Sequence, residues 1–490
     1  VASIKEQLLK LSKAEKKERK QARKDYFYFL GKCKDEEVAK SNLDLLGQSW
    51  IVTDDLDYVP TQDIRNKIKP LLKKQARFMF GRAPTILFKP YDPKDKEKCE
   101  ELRQFIDDIL ESNGFWSDTL KAFLMCTVKK RVMLRLEANP EQSINLIYHN
   151  IEGFNYKKEG KHLKSITLVV QDKDTIDKEK NEKIYYRYMY YMEGETCKLK
   201  IETYKGGFNV DKPFKTEIKD TKLSRIPAWV IINGGLLGDE FGESDLDDLK
   251  DAQNQYNRRV SDFADALRFQ MFGQTVIIDA EEDSVNRLNI APNAIAPLRS
   301  IDERKADMKK VESTFSSAEP VEMYLKRAEH DMYQALDMPE DEQLKEIPSA
   351  KAMKYMYNDL IARCEEKWND WATPIKELIR LIIECCSKFG CYSDWNEEWG
   401  KLKFKIVINY NYPIPEDTED KKRLALEEVN SNVRSHRSYI KDYSDEEDAE
   451  GAMKEIAEDI KTIIEAEQDQ FQKAIDSELN NLNKNTGDGS

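Results

Sequence analysis

A helix-dominated α+β protein is the fold class that this 490-residue sequence predicts, and three observations predict it. Over most of the chain apolar residues recur at spacings of 3 and 4, the period of an amphipathic helix. Between about residues 145 and 232 that period gives way to short β-branched and aromatic runs divided by polar turns, the pattern of an antiparallel sheet of hairpins. Charged residues make up 35 % and apolar residues 40 %, which fits a core-forming chain with much solvated surface and is too apolar for a wholly disordered one.

The elements follow in order. The first 30 residues, rich in Lys and Arg, lack the apolar core of a secretory signal and read as one basic helix. Residues 61–82 place Ile64, Ile68, Leu71 or Leu72, and Phe78 on one helical face, with Pro70 expected to break or kink it. APTILFK follows as a strand. Residues 97–137 read as helical, with Leu102, Phe105, Ile106, Ile109 and Leu110 as a stripe. INLIYH, SITLVVQD, KIYYRYMYYM and TCKLKIETY are the strands of the sheet. A helix then opens at Ser244, with Asp247 three residues later in a variant of the capping box. It carries Leu246, Leu249, Tyr256, Val260, Phe263 and Leu267. QTVIIDA starts a strand-and-loop segment, and a second helix at about 317–338 carries Val321, Leu325, Ala328, Met332 and Ala335. The loop PEDEQLKEIPS (339–349) is longer than most helix connections. Beyond it Ser349 is placed to cap a helix of about 40 residues with the stripe Met353, Tyr357, Leu360, Cys364, Trp368, Trp371, Ile375, Leu378 and Ile382. Pro374 marks an expected kink. A strand at 403–415 and about 75 acidic helical residues complete the chain, ending in a polar tail expected to be disordered.

Composition excludes several functions. A net charge of −13 disfavours tight nucleic-acid capture by the chain as a whole, because that affinity comes mostly from cations neutralising phosphates. No run of 18 apolar residues exists, so no membrane span is expected. The eight cysteines form no CxxC pair and no histidine stands at zinc-ligand spacing, so free thiols and no metal are expected. No GxxxxGK[ST], HExxH or GxSxG occurs, which argues against an enzyme and against a bound cofactor. The four histidines stand far apart, and His330, within a helix, reads as solvated or core-edge. Acid pairs such as Asp247-Asp248 and Glu281-Glu282 are matched by chance in a chain with 92 acids.

Four stretches together carry a resemblance: YVPTQDIRNKIKPLLKKQARFMFGRAPTI (58–86), IPAWVIINGGLLGDEFGESDLDDLKDAQNQYNRRVSDFADAL (226–267), IPSAKAMKYMYNDLIARCEEKW (347–368), and NYNYPIPEDTED (409–420) running into the acidic C-terminal helices. Their order and spacing resemble the portal proteins of tailed double-stranded-DNA bacteriophages, of the type found in phages of Gram-positive bacteria. The most specific parts are the G-E-S-D-L start with Asn257, Ser261 and Asp262 in its continuation, and the P-S-A-K-A-M start after the loop. The resemblance implies a portal fold: a wing over 1–243 containing the sheet, a stem helix at 244–270, a clip at 271–315, a second stem helix at 316–338, a tunnel loop at 339–349, a long wing helix and strand at 350–416, and a crown with tail at 417–490.

The resemblance further implies a homo-oligomeric ring, typically of twelve subunits, at one capsid vertex of the virion, assembled in the host cytoplasm. Duplex DNA would enter and leave through it. The major capsid protein, the terminase large subunit and a head-completion or connector protein would be its partners, with no catalysis of its own. Physical dimensions agree. Twelve helices side by side at ~10 Å give a ring of about 120 Å circumference, and removing a helix half-width of about 5 Å leaves a bore of roughly 28 Å. B-DNA, roughly 20 Å across, passes through such a bore. The loop holds Glu340, Asp341, Glu342 and Glu346 against Lys345, a mostly repulsive wall along which DNA slides instead of sticking. Lys345, Glu342, Glu346, Arg258, Arg259, Lys326 and Arg327 are therefore the channel candidates. For the basic ones, a solvated or intersubunit salt-bridge role is the competing reading. For Tyr357, Trp368 and Trp371, core packing is favoured over stacking on a base.

Twelve chains at −13 carry about −156 in total, so closure needs large apolar and charge-paired interfaces. The basic N-terminal helix would pair with an acidic surface on a neighbour or the coat shell, with nucleic-acid affinity as the alternative. The competing overall reading is a structural scaffold or tail-assembly protein without a channel. A nuclease or ATPase with an unrecognised motif is a third.

Overall fold

The computed structural model describes residues 4 to 465, except 32–59, 62, 139–142, 161, 176–177, 180–181, 207–211, 272–273, 286–298, 302–304, 312–317, 341–349, 415–417, 432 and 444–450, and it also describes 468, 473 and 475. Two compact units divide the chain. The first comprises residues 1–346 and 356–413, and the second 347–355 and 414–490.

Helix α1 (Ile4–Leu9) and helix α2 (Lys13–Leu30) open the first unit. The single basic helix expected here is therefore two. Lys10 adopts positive φ between them, and Ser12 caps α2 by accepting from the Glu15 amide at 3.1 Å. Leu8, Leu9 and Leu11 pack on Val169, Tyr185 and Tyr204 of the larger sheet.

Helix α3 (Ile68–Phe80) starts later than its periodicity suggests. Thr61 and residues 63–67 are not helical, and the Asn66 side chain accepts from the Lys69 amide at 3.0 Å. Pro70 thus lies in the first turn, where a missing N–H costs nothing, and no kink arises.

Strand β1 (Thr85–Pro90) pairs antiparallel with the distant β12 (Phe404–Asn409), Thr85 opposite Asn409. Helices α4 (Lys96–Ser112) and α5 (Phe115–Lys129) follow. The helical reading of 97–137 fails at its end: Lys130 turns to positive φ and β2 (Arg131–Ala138) begins, buried along most of its length. A strand buried on both faces loses the alternation that distinguishes it from a helix.

The expected single sheet is two. β2 lies at the centre of three strands, between β3 (Ile144–Asn150) and β9 (Ala228–Ile232). The other five form an antiparallel meander: β4 (Phe154–Glu159), β5 (His162–Gln171), β6 (Ile184–Glu193), β7 (Thr196–Lys205) and β8 (Lys215–Asp220).

Helix α6 (Lys250–Met271) and helix α7 (Ala318–Gln334) pack against each other. Between them in sequence, β10 (Gln274–Ile278) pairs antiparallel with β11 (Asp307–Val311). The long helix is divided at Tyr357, into α8 (Ala350–Met356) and α9 (Asn358–Phe389). Pro374 lies inside α9, which continues through it without interruption. Leu360, Cys364, Trp368, Trp371, Ile375, Leu378 and Ile382 are all buried, as the stripe requires. Phe80 sits within 6 Å of Phe123, Trp368 and Trp371 in an aromatic core. Trp368 and Trp371, each 1 % exposed, are core residues. Seven cysteines (99, 126, 197, 364, 385, 386 and 391) are free and buried.

The second unit contains α10 (Thr418–Asn430), α11 (His436–Tyr443) and a helical run at 451–465. Ala425, Val429, Ile440 and Ala452 are buried, whereas Ile456, Ile460, Ile463 and Ile464 are exposed.

Candidate functional site

The helix pair α6/α7 holds four of the seven channel candidates. Arg258 and Arg259 are exposed on α6, and Lys326 and Arg327 are exposed on α7. Arg259 pairs with Asp262 at 3.3 Å and lies 5.9 Å from the ring of Tyr324. Arg258, Lys326 and Arg327 have no partner among the described residues. Glu342, Lys345 and Glu346 lie outside the described residues. Glu340 is described, and its carboxylate meets His330 Nδ1 at 2.5 Å, so His330 is a half-buried partner of the residue at which the loop departs.

What holds the pair in place was not legible as chemistry. Along α6, Gln253, Asn257, Ser261 and Asp265 recur every four residues on one face, and all are buried. Each side chain accepts from a backbone amide just ahead of α3: Lys67 N to Gln253 at 2.9 Å, Arg65 N to Asn257 at 3.1 Å, Asp63 N to Ser261 at 2.8 Å and Thr61 N to Asp265 at 3.0 Å. Alternate amides of this segment are thereby satisfied on helix side chains instead of on a neighbouring strand. Lys67 then reaches Glu329 on α7 at 2.7 Å. The spacing of four polar residues was visible in the sequence, but a polar stripe reads as solvated until its partner is known.

At the foot of α6 the capping-box reading of Ser244 fails. The helix begins six residues later, at Lys250. Ser244 Oγ donates to the Thr127 and Val128 carbonyls and accepts from Leu246 N, and Asp247 pairs with Lys250 at 2.7 Å. The reason is the neighbouring Asp245, which is drawn into the interior. Its Oδ1 accepts from Asn233 Nδ2 at 2.8 Å and Lys367 Nζ at 2.9 Å. Its Oδ2 accepts from Gln75 Nε2 at 3.1 Å and faces Arg363 at 3.4 Å. Lys367 Nζ also donates to Asn233 Oδ1 at 2.8 Å. Burial alone would raise the Asp245 carboxyl, but the charges of Lys367 and Arg363 and the Asn233 amide outweigh it and hold the group below the usual carboxylate range. Arg363 further bonds Asp337 at 3.3 Å, at the end of the second helix.

Gly242 makes the approach to this knot possible. Its φ is +74°, and a Cβ there would lie 2.5 Å from Ile232 Cγ2 and 2.8 Å from the Asn233 carbonyl. The four stretches singled out in the sequence thus meet in space. The first contributes Gln75, the second Asn233 and Asp245, and the third Arg363 and Lys367. The fourth contributes Tyr410, stacked on Trp368 at 4.4 Å, and Tyr412, stacked on Phe78 at 5.2 Å.

The Asp245 carboxylate is saturated by cations and amides. Among the described residues, no group of three or more His, Cys, Asp or Glu could hold a metal ion. No described helix is long and apolar enough to cross a membrane.

A sequence profile of the family described as "Phage portal protein, SPP1 Gp6-like" matches residues 8–466. No curated protein matches the sequence. Among solved structures, the chain is similar to one in the "Virion of native gene transfer agent (GTA) particle", at 11 % identity over 78 % of this chain and 94 % of that one, with a TM-score of 0.38. It is also similar to one in the "Neck of empty GTA particle computed with C6 symmetry", at 13 % identity over 78 % and 94 %, TM-score 0.40. A third, from the "Neck of native GTA particle computed with C12 symmetry", aligns at 13 % identity over 76 % and 88 %, TM-score 0.37.

Proposed function

The chain belongs to the SPP1 Gp6-like phage portal protein family, and on that premise we propose that its copies close into a ring, typically of twelve, through which duplex DNA is packaged and later ejected. The family match across residues 8–466 is the observation that carries this reading. In it α6 and α7 form the stem, the β10/β11 segment the clip, residues 339–349 the tunnel loop, 350–416 the long wing helix and strand, and 417–490 the crown. The ring is a structural conduit at one capsid vertex, bound to the major capsid protein. The terminase large subunit docks on the clip during packaging, and a head-completion or connector protein takes its place afterwards.

Two features of the chain support the conduit reading. A stem must transmit load without bending, and here it is braced twice: along its length by the 61–67 ladder and at its foot by the Asp245 knot. Leu267 on α6, Met323 and Tyr324 on α7, and Val276, Ile278 and Met308 on the clip strands are exposed, the apolar area that ring closure against like charge demands. Arg258, Lys326 and Arg327 are among the exposed stem cations left to meet phosphates, and Lys345 is the one in the loop.

Electron microscopy of the purified protein tests the proposal, with closed rings and an axial hole as the expected image. Monomers or open filaments at every salt and protein concentration would favour the scaffold reading. Shortening 340–346 is expected to leave rings intact and to impair DNA packaging or retention. Unchanged packaged length in that variant would remove the loop from the channel.

A further inference from the structure

We propose that the outward face of α2 is a second DNA-binding surface, separate from the stem, which seats the phosphate backbone of duplex without regard to sequence. The observation behind it is how α2 sorts its charges. All three of its acids point inward or are tied down: Glu15 to Arg131 at 2.9 and 3.1 Å, Glu18 to Lys130 at 3.2 Å, and Asp25 to Lys250 at 2.7 Å. Arg19 is buried too, beside the Phe154 carbonyl at 2.5 Å. Lys13, Lys16, Lys17 and Lys20 are left exposed, without a partner among the described residues. An ordinary solvated helix face mixes signs and pairs them at i,i+4. This face presents four positive charges and no negative one, in a chain whose net charge is −13.

The composition of the stripe decides between two partners. Protein interfaces are depleted in Lys and centre on Tyr, Trp and Arg anchors. Apart from Lys13, Lys16, Lys17 and Lys20, the exposed residues of α2 and its cap are Ser12, Ala14 and Arg23, so the face offers point charges and no large apolar anchor. Point charges suit phosphates. From Lys13 to Lys20 the helix rises about 10.5 Å, a length over which duplex carries roughly six phosphates. The acidic protein surface that the sequence alone favoured for this helix is the less suitable partner.

Four neutralised phosphates predict a slope of log K against log salt of about −3.6, a loss of roughly 150-fold between 50 and 200 mM salt. The test uses full-length protein and a covalently closed circular duplex, which cannot thread a closed ring and so reports only external binding. The variant K13Q/K16Q/K17Q/K20Q is expected to lose at least tenfold in affinity at 100 mM salt, with the slope flattened by about 3 to 4. The corresponding four Lys→Arg changes keep the charge and are expected to keep affinity and slope. The stem variant R258Q/R259Q/K326Q/R327Q is expected to bind circular duplex as wild type does. Because the circle bypasses the channel, a failure here leaves the conduit reading standing. Unchanged affinity and slope in the Lys→Gln variant would overturn the proposal. So would wild-type protein that captures polyglutamate through these lysines yet does not bind the circle.

Discussion

Replacing Asp245 by Asn is the most informative single perturbation at the foot of α6. The side chain keeps its shape and one oxygen, but the charge that balances Lys367 and Arg363 is gone. Both cations stay in place with little access to water, their side chains 10 % and 18 % exposed. Breaking a buried charge network at one member typically costs about 3–5 kcal/mol, most of it the desolvation of the charge left behind. At roughly 2.1 cal/mol/K per residue, a chain this long unfolds with an entropy near 1 kcal/mol/K, so the expected fall in Tm is about 3–5 °C. Scanning calorimetry or thermal circular dichroism reads it. The stronger test is the cycle with Lys367→Met. If the loss in D245N comes from a stranded ammonium, removing that ammonium as well must recover part of it, and the double variant must be more stable than the sum of the singles by about 1 kcal/mol or more. Strict additivity, or a D245N protein that melts with wild type, refutes the argument. The pH dependence has a fixed sign. The Asp245 carboxyl is depressed in the folded state, so its contribution is fully present above the unfolded value near 4 and is lost as pH falls below it through the folded value. Wild-type stability should therefore fall more steeply than that of D245N below about pH 4.

Three further outcomes are expected. Ser261→Ala leaves the Asp63 amide without its acceptor and should cost about 1–3 kcal/mol, with faster hydrogen exchange confined first to residues 60–67; protection unchanged there would show that the ladder contributes nothing. Gly242→Ala forces a Cβ to within 2.5 Å of Ile232 at a positive φ, for a loss of about 2–4 kcal/mol, and a wild-type melting curve would contradict the geometry of the turn. Trp368→Ala opens a cavity at a residue 1 % exposed and should cost ~3–5 kcal/mol, read as a lowered Tm.

By itself the sequence determined what periodicity and composition can carry. The 3–4 stripe of α9 predicted its buried face residue by residue, from Leu360 to Ile382. Alternating runs predicted most strands of the five-stranded sheet, and four short stretches in the right order carried the family. What it left open has physical reasons. β2 was read as helix because a strand covered on both faces has no alternation to show. Pro70 suggests a break or kink, yet Asn66 starts α3 just ahead of it and places the proline in the first turn. Ser244 looked like a cap because its spacing to Asp247 is a capping spacing, but the interior claimed Asp245 and displaced the helix start to Lys250. Only the tertiary structure decided the meaning of the polar residues. Gln253, Asn257, Ser261 and Asp265 became hydrogen-bond acceptors for a segment nearly 200 residues earlier, and Glu15, Glu18 and Asp25 turned inward to leave a purely basic face. Burial and pairing of a polar side chain depend on partners distant in sequence, which local pattern does not record, whereas the hydrophobic period of an element is written along the element itself.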